Sequence, residues 1–189
     1  MKITAEAAWQ AHQQADILHD RAAVEAGLER LAAAITQRLA DKDPVIICVL
    51  TGGIVLAGQL LPRLAFPLRL DYIHASRYRG RTEGGELHWI AHPRHALKGE
   101  TVLLVDDIHD EGHTLAAIVD WCRDQGATEV LSAVLVDKQH TRKHPYRADF
   151  VGLEAADRYL FGCGMDYAEY LRNVAEIRAL RQPGESDHE

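Results

Sequence analysis

The sequence predicts an α/β fold on a parallel sheet, and three observations carry that prediction. Residues 45–50, Val-Ile-Ile-Cys-Val-Leu, are apolar at every position, as expected of a strand covered on both faces. Apolar runs at 101–105 and 130–136 repeat the pattern. Between these runs the apolar residues return at three- and four-residue spacing, so strands alternate with helices, the order that builds a parallel sheet.

Taken in order, residues 20–39 set Val24, Leu28, Leu31, Ile35 and Leu39 on one helical face, with Asp20 available as the N-cap. After Pro44 comes the first apolar strand, which Thr51, Gly52 and Gly53 end. Leu56, Leu60, Leu61 and Leu64 resume helical spacing, and residues 68–75 read as a second strand. From 79 to 97 the chain is rich in Gly, Arg, Glu and His without a sustained period, which predicts a mobile, lid-like excursion between strands. His88, His92 and His95 fall within it; that spacing could bind a metal, but solvated histidines are the commoner outcome in a polar loop. Beyond the run at 101–105, Leu115, Ile118, Val119 and Cys122 predict a helix closed by Gly126, before the strand at 130–136. Residues 182–189 are polar and expected to fray.

The 189 residues, 47% hydrophobic and 26% charged, suit one domain with a substantial core. A formal net charge of −7 argues against nucleic acid as the partner, because a phosphate backbone selects for clustered Lys and Arg. Any anionic ligand must then be held by local features. Cys48, Cys122 and Cys163 are widely spaced and include no CxxC pair, so neither a disulfide framework nor a zinc site is expected. No basic region leads into a long apolar run at the N-terminus, and no window reaches bilayer-spanning length; a cytoplasmic protein without a membrane partner is the expectation.

Chemistry concentrates in residues 102–115, where a buried strand runs into Asp106 and Asp107, a tight turn, and a helix. In open α/β sheets ligands bind beyond the carboxyl ends of the strands, and a helix N-terminus offers unpaired N–H groups to a phosphate. Gly112 permits close backbone approach and the Thr114 hydroxyl can donate to a phosphoryl oxygen. Asp106 and Asp107 suit ribose hydroxyls, which donate to carboxylates. Taken alone, the two acids could equally serve as helix-terminal charges.

The nonamer 106–114, Asp-Asp-Ile-His-Asp-Glu-Gly-His-Thr, resembles the phosphoribosyl pyrophosphate signature of type I phosphoribosyltransferases: acid, acid, two residues, Asp, Thr, Gly, one residue, Thr. Further resemblance covers nearly the whole chain and points to the hypoxanthine-guanine branch. Leu50-Thr51-Gly52-Gly53 looks like that family's pyrophosphate loop, with a non-proline cis peptide expected between Leu50 and Thr51. Residues 149–172, with Phe150-Val151-Gly152 and Gly162-Cys163-Gly164-Met165-Asp166-Tyr167 in order, resemble its base-binding region.

The resemblance implies one phosphoribosyltransferase domain over 1–189, with helices on both faces of the sheet. Its core would span about 20–150, a small hood would come from about 1–19 and 151–181, and a flexible loop would run over about 77–97. It implies purine salvage: ribose 5-phosphate moves from phosphoribosyl pyrophosphate to hypoxanthine or guanine, giving IMP or GMP and pyrophosphate. Asp106, Asp107, Asp110, Glu111, Gly112, His113 and Thr114 would bind phosphoribosyl pyrophosphate, and Thr51, Gly52 and Arg172 its pyrophosphate. Lys138 would donate to the purine O6, Tyr159 stack on the ring, Leu160 read the base edge through its backbone, and Asp166 lie beside it. Asp106, Asp107 and Asp166 would hold magnesium, directly or through water. Asp110 would be the general base at N7, and Tyr78 would close over the pyrophosphate. A homodimer or homotetramer is implied.

The sequence also departs from the pattern. Glu111 stands where Thr is usual, which brings negative charge beside the presumed phosphate unless the side chain points outward or pairs with a protonated His113. Thr51 replaces the lysine of some members and Arg77 a serine. These changes keep two alternatives open, a phosphoribosyl pyrophosphate-sensing regulatory protein and a transferase specific for xanthine.

Overall fold

The computed structural model of the chain describes residues 3–77 and 87–181. Its elements are α1 (Ala5–Gln14), β1 (Asp16–His19), α2 (Arg21–Leu39), β2 (Val45–Leu50), α3 (Gly53–Leu60), β3 (Arg69–Arg77), β4 (Leu87–Ala91), β5 (Thr101–His109), α4 (His113–Asp124), β6 (Glu129–Gln139), β7 (Phe150–Ala156), β8 (Leu160–Phe161) and β9 (Ile177–Ala179). Six strands form the central sheet in the order β4-β3-β2-β5-β6-β7. All its neighbours pair in parallel except β3 and β4, so the sheet ends in one antiparallel edge.

The uniformly apolar β2 is explained by what covers each face. Ile46 and Cys48 turn toward Leu28, Leu31, Ile35 and Leu39 of α2 and Leu56 of α3. Val45, Ile47 and Val49 turn the other way, to Leu115, Ile118, Val119 and Cys122 of α4. With helices on both faces, neither side of the strand can be polar. Asp20 accepts from the Ala23 N–H at 2.8 Å, which caps α2 where the sequence placed its start.

Strand order reverses at β2, because β3 lies on one side of it and β5 on the other. The carboxyl ends of β2 and β5 therefore flank a topological switch point, where an open α/β sheet leaves a crevice for ligands. The turn at Thr51 and the acidic turn at Asp106 both open there.

A second, antiparallel sheet has the order β1-β9-β8 and joins segments from both ends of the chain. β7, by contrast, pairs with β6 from Phe150 to Ala156, which carries the central sheet beyond the core boundary expected near residue 150. Within the span expected to be an excursion, Leu87–Ala91 is a strand paired with β3. The following turn is tied down by Asp71, whose Oδ2 accepts from the N–H groups of Arg94 at 2.8 Å and His95 at 2.9 Å. Arg, Gly and His obscured a short strand whose anchor lies in β3, too far along the chain for periodicity to register. Residues 78–86, the rest of that expected loop, and 182–189 lie outside the described residues. Among the described residues no helix is long and apolar enough to cross a membrane.

Candidate active site

Three segments meet at the switch point, and close approaches hold them there. The Leu50–Thr51 peptide is cis. A Cβ on Gly52 would lie 2.1 Å from an Asp107 carboxylate oxygen, so only glycine lets this turn press against the acidic one. Gly164, at φ +108°, is pressed from the other side: a Cβ there would lie 2.3 Å from the Gly52 carbonyl oxygen. Arg172 fixes the strap that carries Gly164, donating from Nη1 to its carbonyl at 2.7 Å while Nη2 pairs with Asp166 Oδ1 at 2.8 Å. Thr51, Gly52, Asp107 and the strap are thus brought together.

The acids of the turn fall into two kinds. Asp107 is 7% exposed, its Oδ1 accepts from the Ile108 N–H at 2.8 Å, and Asp106 Oδ1 accepts from the Asp107 N–H at 2.9 Å. Among the described residues neither carboxylate has an ion-pair partner. Burial drives Asp106 well above the usual carboxylate range, and the charge of Asp107 adds to the shift. Burial also raises Asp107, against the opposing pull of Asp106 and Arg172. Two adjacent carboxylates, Asp107 buried and Asp106 partly so, that are unpaired and reluctant to ionise together fit a divalent cation, whose charge would offset both. Asp166 does not join them as a free ligand: besides Arg172 it accepts from the Glu169 N–H at 2.8 Å.

Asp110 is already compensated. Lys138 Nζ lies 3.0 Å from its Oδ2 and His140 Nε2 2.8 Å from its Oδ1. Burial works to raise this carboxyl, but hydrogen bonds from His140 and Lys138 outweigh it and hold the group below the ordinary range. Lys138 Nζ also lies 3.5 Å from Asp157 Oδ1. Asp110, His140 and Asp157 are the one grouping of three possible metal ligands among the described residues, and the Lys138 ammonium already fills the cationic position between its two acids.

Below the loop, buried His109 bonds Asp137 Oδ1 through Nδ1 at 2.7 Å, and Lys143 pairs with the same carboxylate. Hydrogen bonds from Lys143 and His109 hold Asp137 below the usual range although burial alone would raise it. The far ring nitrogen, Nε2, sits where a Cβ on Gly112 would come within 2.3 Å. Gly112, at φ +81°, therefore does two things no other residue could: it takes the left-handed turn into α4 and leaves room for His109 beneath. His113 and Thr114 occupy the first turn of α4.

Of the two outcomes open for Glu111, an outward side chain or a pair with His113, the structure has the first. Glu111 is exposed, and its carbonyl accepts from the His144 N–H at 2.8 Å. The His113 ring instead meets the His144 ring edge-on, with centroids 5.3 Å apart. Local sequence order could not reveal a partner that arrives from the far side of β6. Tyr159 is 51% exposed and lies edge-on to Tyr167, while Leu160 is buried in β8. Tyr78 lies outside the described residues. His92 is exposed, with its ring against Trp89 and Trp121, and the partly exposed His95 bonds Asp71 at 2.7 Å.

Sequence reasoning passed over His109, Asp137, His140, Lys143 and Asp157. One signal was available: Asp137-Lys138-Gln139-His140 is a polar tail on an apolar strand, at the carboxyl end where ligands bind.

The chain matches the family model of the phosphoribosyl transferase domain over residues 14–169. It is 31% identical to the hypoxanthine-guanine phosphoribosyltransferase of Bacillus subtilis (strain 168), across 90% of this chain and 95% of that protein. Its identity to the hypoxanthine-guanine-xanthine phosphoribosyltransferase of Tritrichomonas foetus is also 31%, across 88% and 91% of the two chains. Among solved structures, a hypoxanthine phosphoribosyltransferase from Staphylococcus aureus superposes with a TM-score of 0.85 at 27% identity, covering 93% of this chain and 97% of that one. On the fold, the acidic turn and these likenesses together, the chain belongs to the phosphoribosyltransferase family, on its hypoxanthine-guanine branch.

Proposed function

We propose that this chain is a purine salvage enzyme that transfers ribose 5-phosphate from phosphoribosyl pyrophosphate to hypoxanthine or guanine, giving IMP or GMP and pyrophosphate. The observation that carries the reading is the division of the acidic turn, with two uncompensated carboxylates at Asp106 and Asp107 and a third, Asp110, paired with Lys138. The first two suit the pentose and its cation; the third, with its lysine, suits a heterocycle that has a proton to lose and an oxygen to be held.

In this mechanism N9 of the purine attacks C1′ of the ribose as the C1′–O bond breaks and its electron pair leaves on pyrophosphate. The N7 proton passes to Asp110. Lys138 donates to O6, which favours 6-oxo over 6-amino bases. Tyr159, exposed at the rim, stacks on the ring, and the Leu160 backbone reads its edge. Gly112, His113 and Thr114 at the start of α4 hold the 5′-phosphate, with Glu111 turned outward. Thr51, Gly52 and Arg172 hold pyrophosphate, and Tyr78 closes over it. Asp106 and Asp107 would bind magnesium, with Asp166 reaching it through water, and the ion supplies neutralisation of charge on the departing pyrophosphate. Catalysis is then mainly electrostatic and positional.

The sheet of β1, β9 and β8 is read as the hood over the purine, set on a core that runs to the end of β7. Leu70 and Tyr72, alternate residues of β3, are 48% and 43% exposed; apolar side chains left uncovered on one strand face support a homodimer or homotetramer. Three buried, unbridged cysteines support a reducing, cytoplasmic setting.

A spectrophotometric assay with phosphoribosyl pyrophosphate, magnesium and each oxopurine in turn tests the reading. Turnover with hypoxanthine or guanine is expected. Xanthine belongs in the assay because the Tritrichomonas foetus relative, equally similar, has xanthine in its name. Binding of phosphoribosyl pyrophosphate without turnover of any base would favour the regulatory alternative.

A further inference from the structure

His140 has no part in the family pattern described above, yet it touches the proposed base more closely than Lys138 does. Its side chain is 4% exposed and its Nε2 lies 2.8 Å from Asp110 Oδ1, against 3.0 Å for Lys138 Nζ and Oδ2. The ring's other nitrogen, Nδ1, accepts from the Arg142 backbone N–H at 3.1 Å. An imidazole that accepts at Nδ1 carries its proton on Nε2 when neutral, so the backbone sets the tautomer that donates to Asp110. No protonation is needed for the bond, and one donor serves each carboxylate oxygen.

The two donors differ in what a substrate can do to them. Lys138 is the group that a purine O6 would engage, and engagement draws its ammonium away from Asp110 Oδ2. His140 is held by the Arg142 backbone and has no such alternative. We propose that His140 is a positioning residue for the base: it keeps hold of Asp110 Oδ1 while the 6-oxopurine takes Lys138, leaving Oδ2 free and aimed at the N7 proton. The base is thereby masked in the empty enzyme and uncovered by its own substrate. This inference rests on the reading of Asp110 as the general base.

The charged and titratable groups around Asp110 are few enough to make a pH test readable. Lys138 faces it from β6, His140 from the segment just beyond, and Asp157, after β7, faces Lys138 and is itself paired with Arg142 at 2.7 Å. Loss of a donor to a carboxylate raises its affinity for protons.

The test compares H140F, H140Q and D110N with wild type in steady-state turnover of hypoxanthine, from pH 5 to pH 9. H140F keeps an aromatic ring without the donor. It should lower kcat by roughly 10- to 100-fold, the scale of a misaimed catalytic group, with KM for phosphoribosyl pyrophosphate near wild type and the acid limb of kcat/KM moved to higher pH. H140Q, whose amide nitrogen reaches the place of Nε2, should recover most of the loss. If H140F does not fold, H140N replaces it, because its amide falls at the Nδ1 position, short of Asp110. A donor-less variant with wild-type kcat and an unmoved acid limb overturns the proposal, as does an H140Q enzyme no better than H140F. D110N separates the two ideas: if it is crippled while the His140 variants are not, only the role of His140 is lost, whereas an active D110N removes the base and the positioning role with it.

Discussion

The two halves of the acidic turn differ in their electrostatic state although they are contiguous in sequence. Asp107 is buried and Asp106 partly so, neither has an ion-pair partner among the described residues, and their affinity for protons is raised, chiefly by loss of hydration. Asp110, and Asp137 behind it, are partly buried too, but each has a lysine and a histidine on its oxygens and titrates below the ordinary range. The first pair has no compensating cation from the described residues, and the second has its own. An uncompensated buried acid is a cost to the fold, so its presence at a switch point argues for a ligand that brings a cation. A compensated acid there argues for a group whose protonation must be controlled before the substrate arrives.

The largest effect should follow from neutralising the compensated member. Asp110→Asn keeps the shape and removes the proton acceptor, so kcat should fall by roughly 10²- to 10⁴-fold, with little change in the dissociation constant for phosphoribosyl pyrophosphate measured by calorimetry. Equal losses in turnover and binding would show Asp110 to be a ligand-binding acid like its neighbours and dissolve the contrast. Asp107→Asn attacks the other half. Affinity for magnesium with phosphoribosyl pyrophosphate should weaken by about 10- to 100-fold. Thermal stability should hold or rise, because the amide oxygen can still accept from Ile108 N–H while the buried charge is gone. A marked fall in melting temperature would mean that the pair is structural.

Asp137→Asn is the matched control for that stability measurement. Its carboxylate joins Lys143 and buried His109 under Gly112, and the amide would leave the lysine facing no negative charge in a largely buried place. A loss of roughly 1–3 kcal/mol in chemical denaturation is expected. No loss would mean that the compensated acids contribute as little to the fold as the uncompensated ones.

How much of this was legible in the sequence depended on the distance over which each signal acts. β2, β5 and β6 could be read because burial on both faces leaves a uniform local run, and the turn at 106–114 because its nine positions are contiguous. The partners that give those acids their different states arrive from another strand: Lys138 and His140 reach Asp110, and Asp137 reaches His109, across the β5–β6 pairing. No periodicity reports such a meeting. Short elements were lost for a different reason. α1 buries only Ala8 and so leaves almost no apolar stripe, and β8 is two residues long, below the length at which alternation means anything. For Glu111 the sequence left two outcomes open, and the choice of the exposed one depends on the path of the chain after β6, which brings the His144 N–H to its carbonyl.

The smallest effect is also the one that opposes the two halves most directly, the dependence of stability on pH. An acid whose folded pKa is depressed, such as Asp137, contributes stability that is present above its unfolded value of about 3.9 and is lost as pH falls through the folded one. An acid whose folded pKa is raised, such as Asp106, has the opposite sign. Between the unfolded value and the raised folded one the native state binds more protons than the unfolded chain, so stability declines as pH rises. Wild-type stability should therefore fall off on both sides of a maximum at about pH 4, the acid side set by compensated carboxylates and the other by the Asp106–Asp107 pair. Asp107→Asn should flatten the decline above the maximum and leave the acid side unchanged; Asp137→Asn should soften the acid side and leave the upper decline in place. Melting curves of the three proteins from pH 3 to pH 8, without magnesium, separate these outcomes, and identical slopes in all three would mean that the two kinds of acid are not distinct in the folded chain.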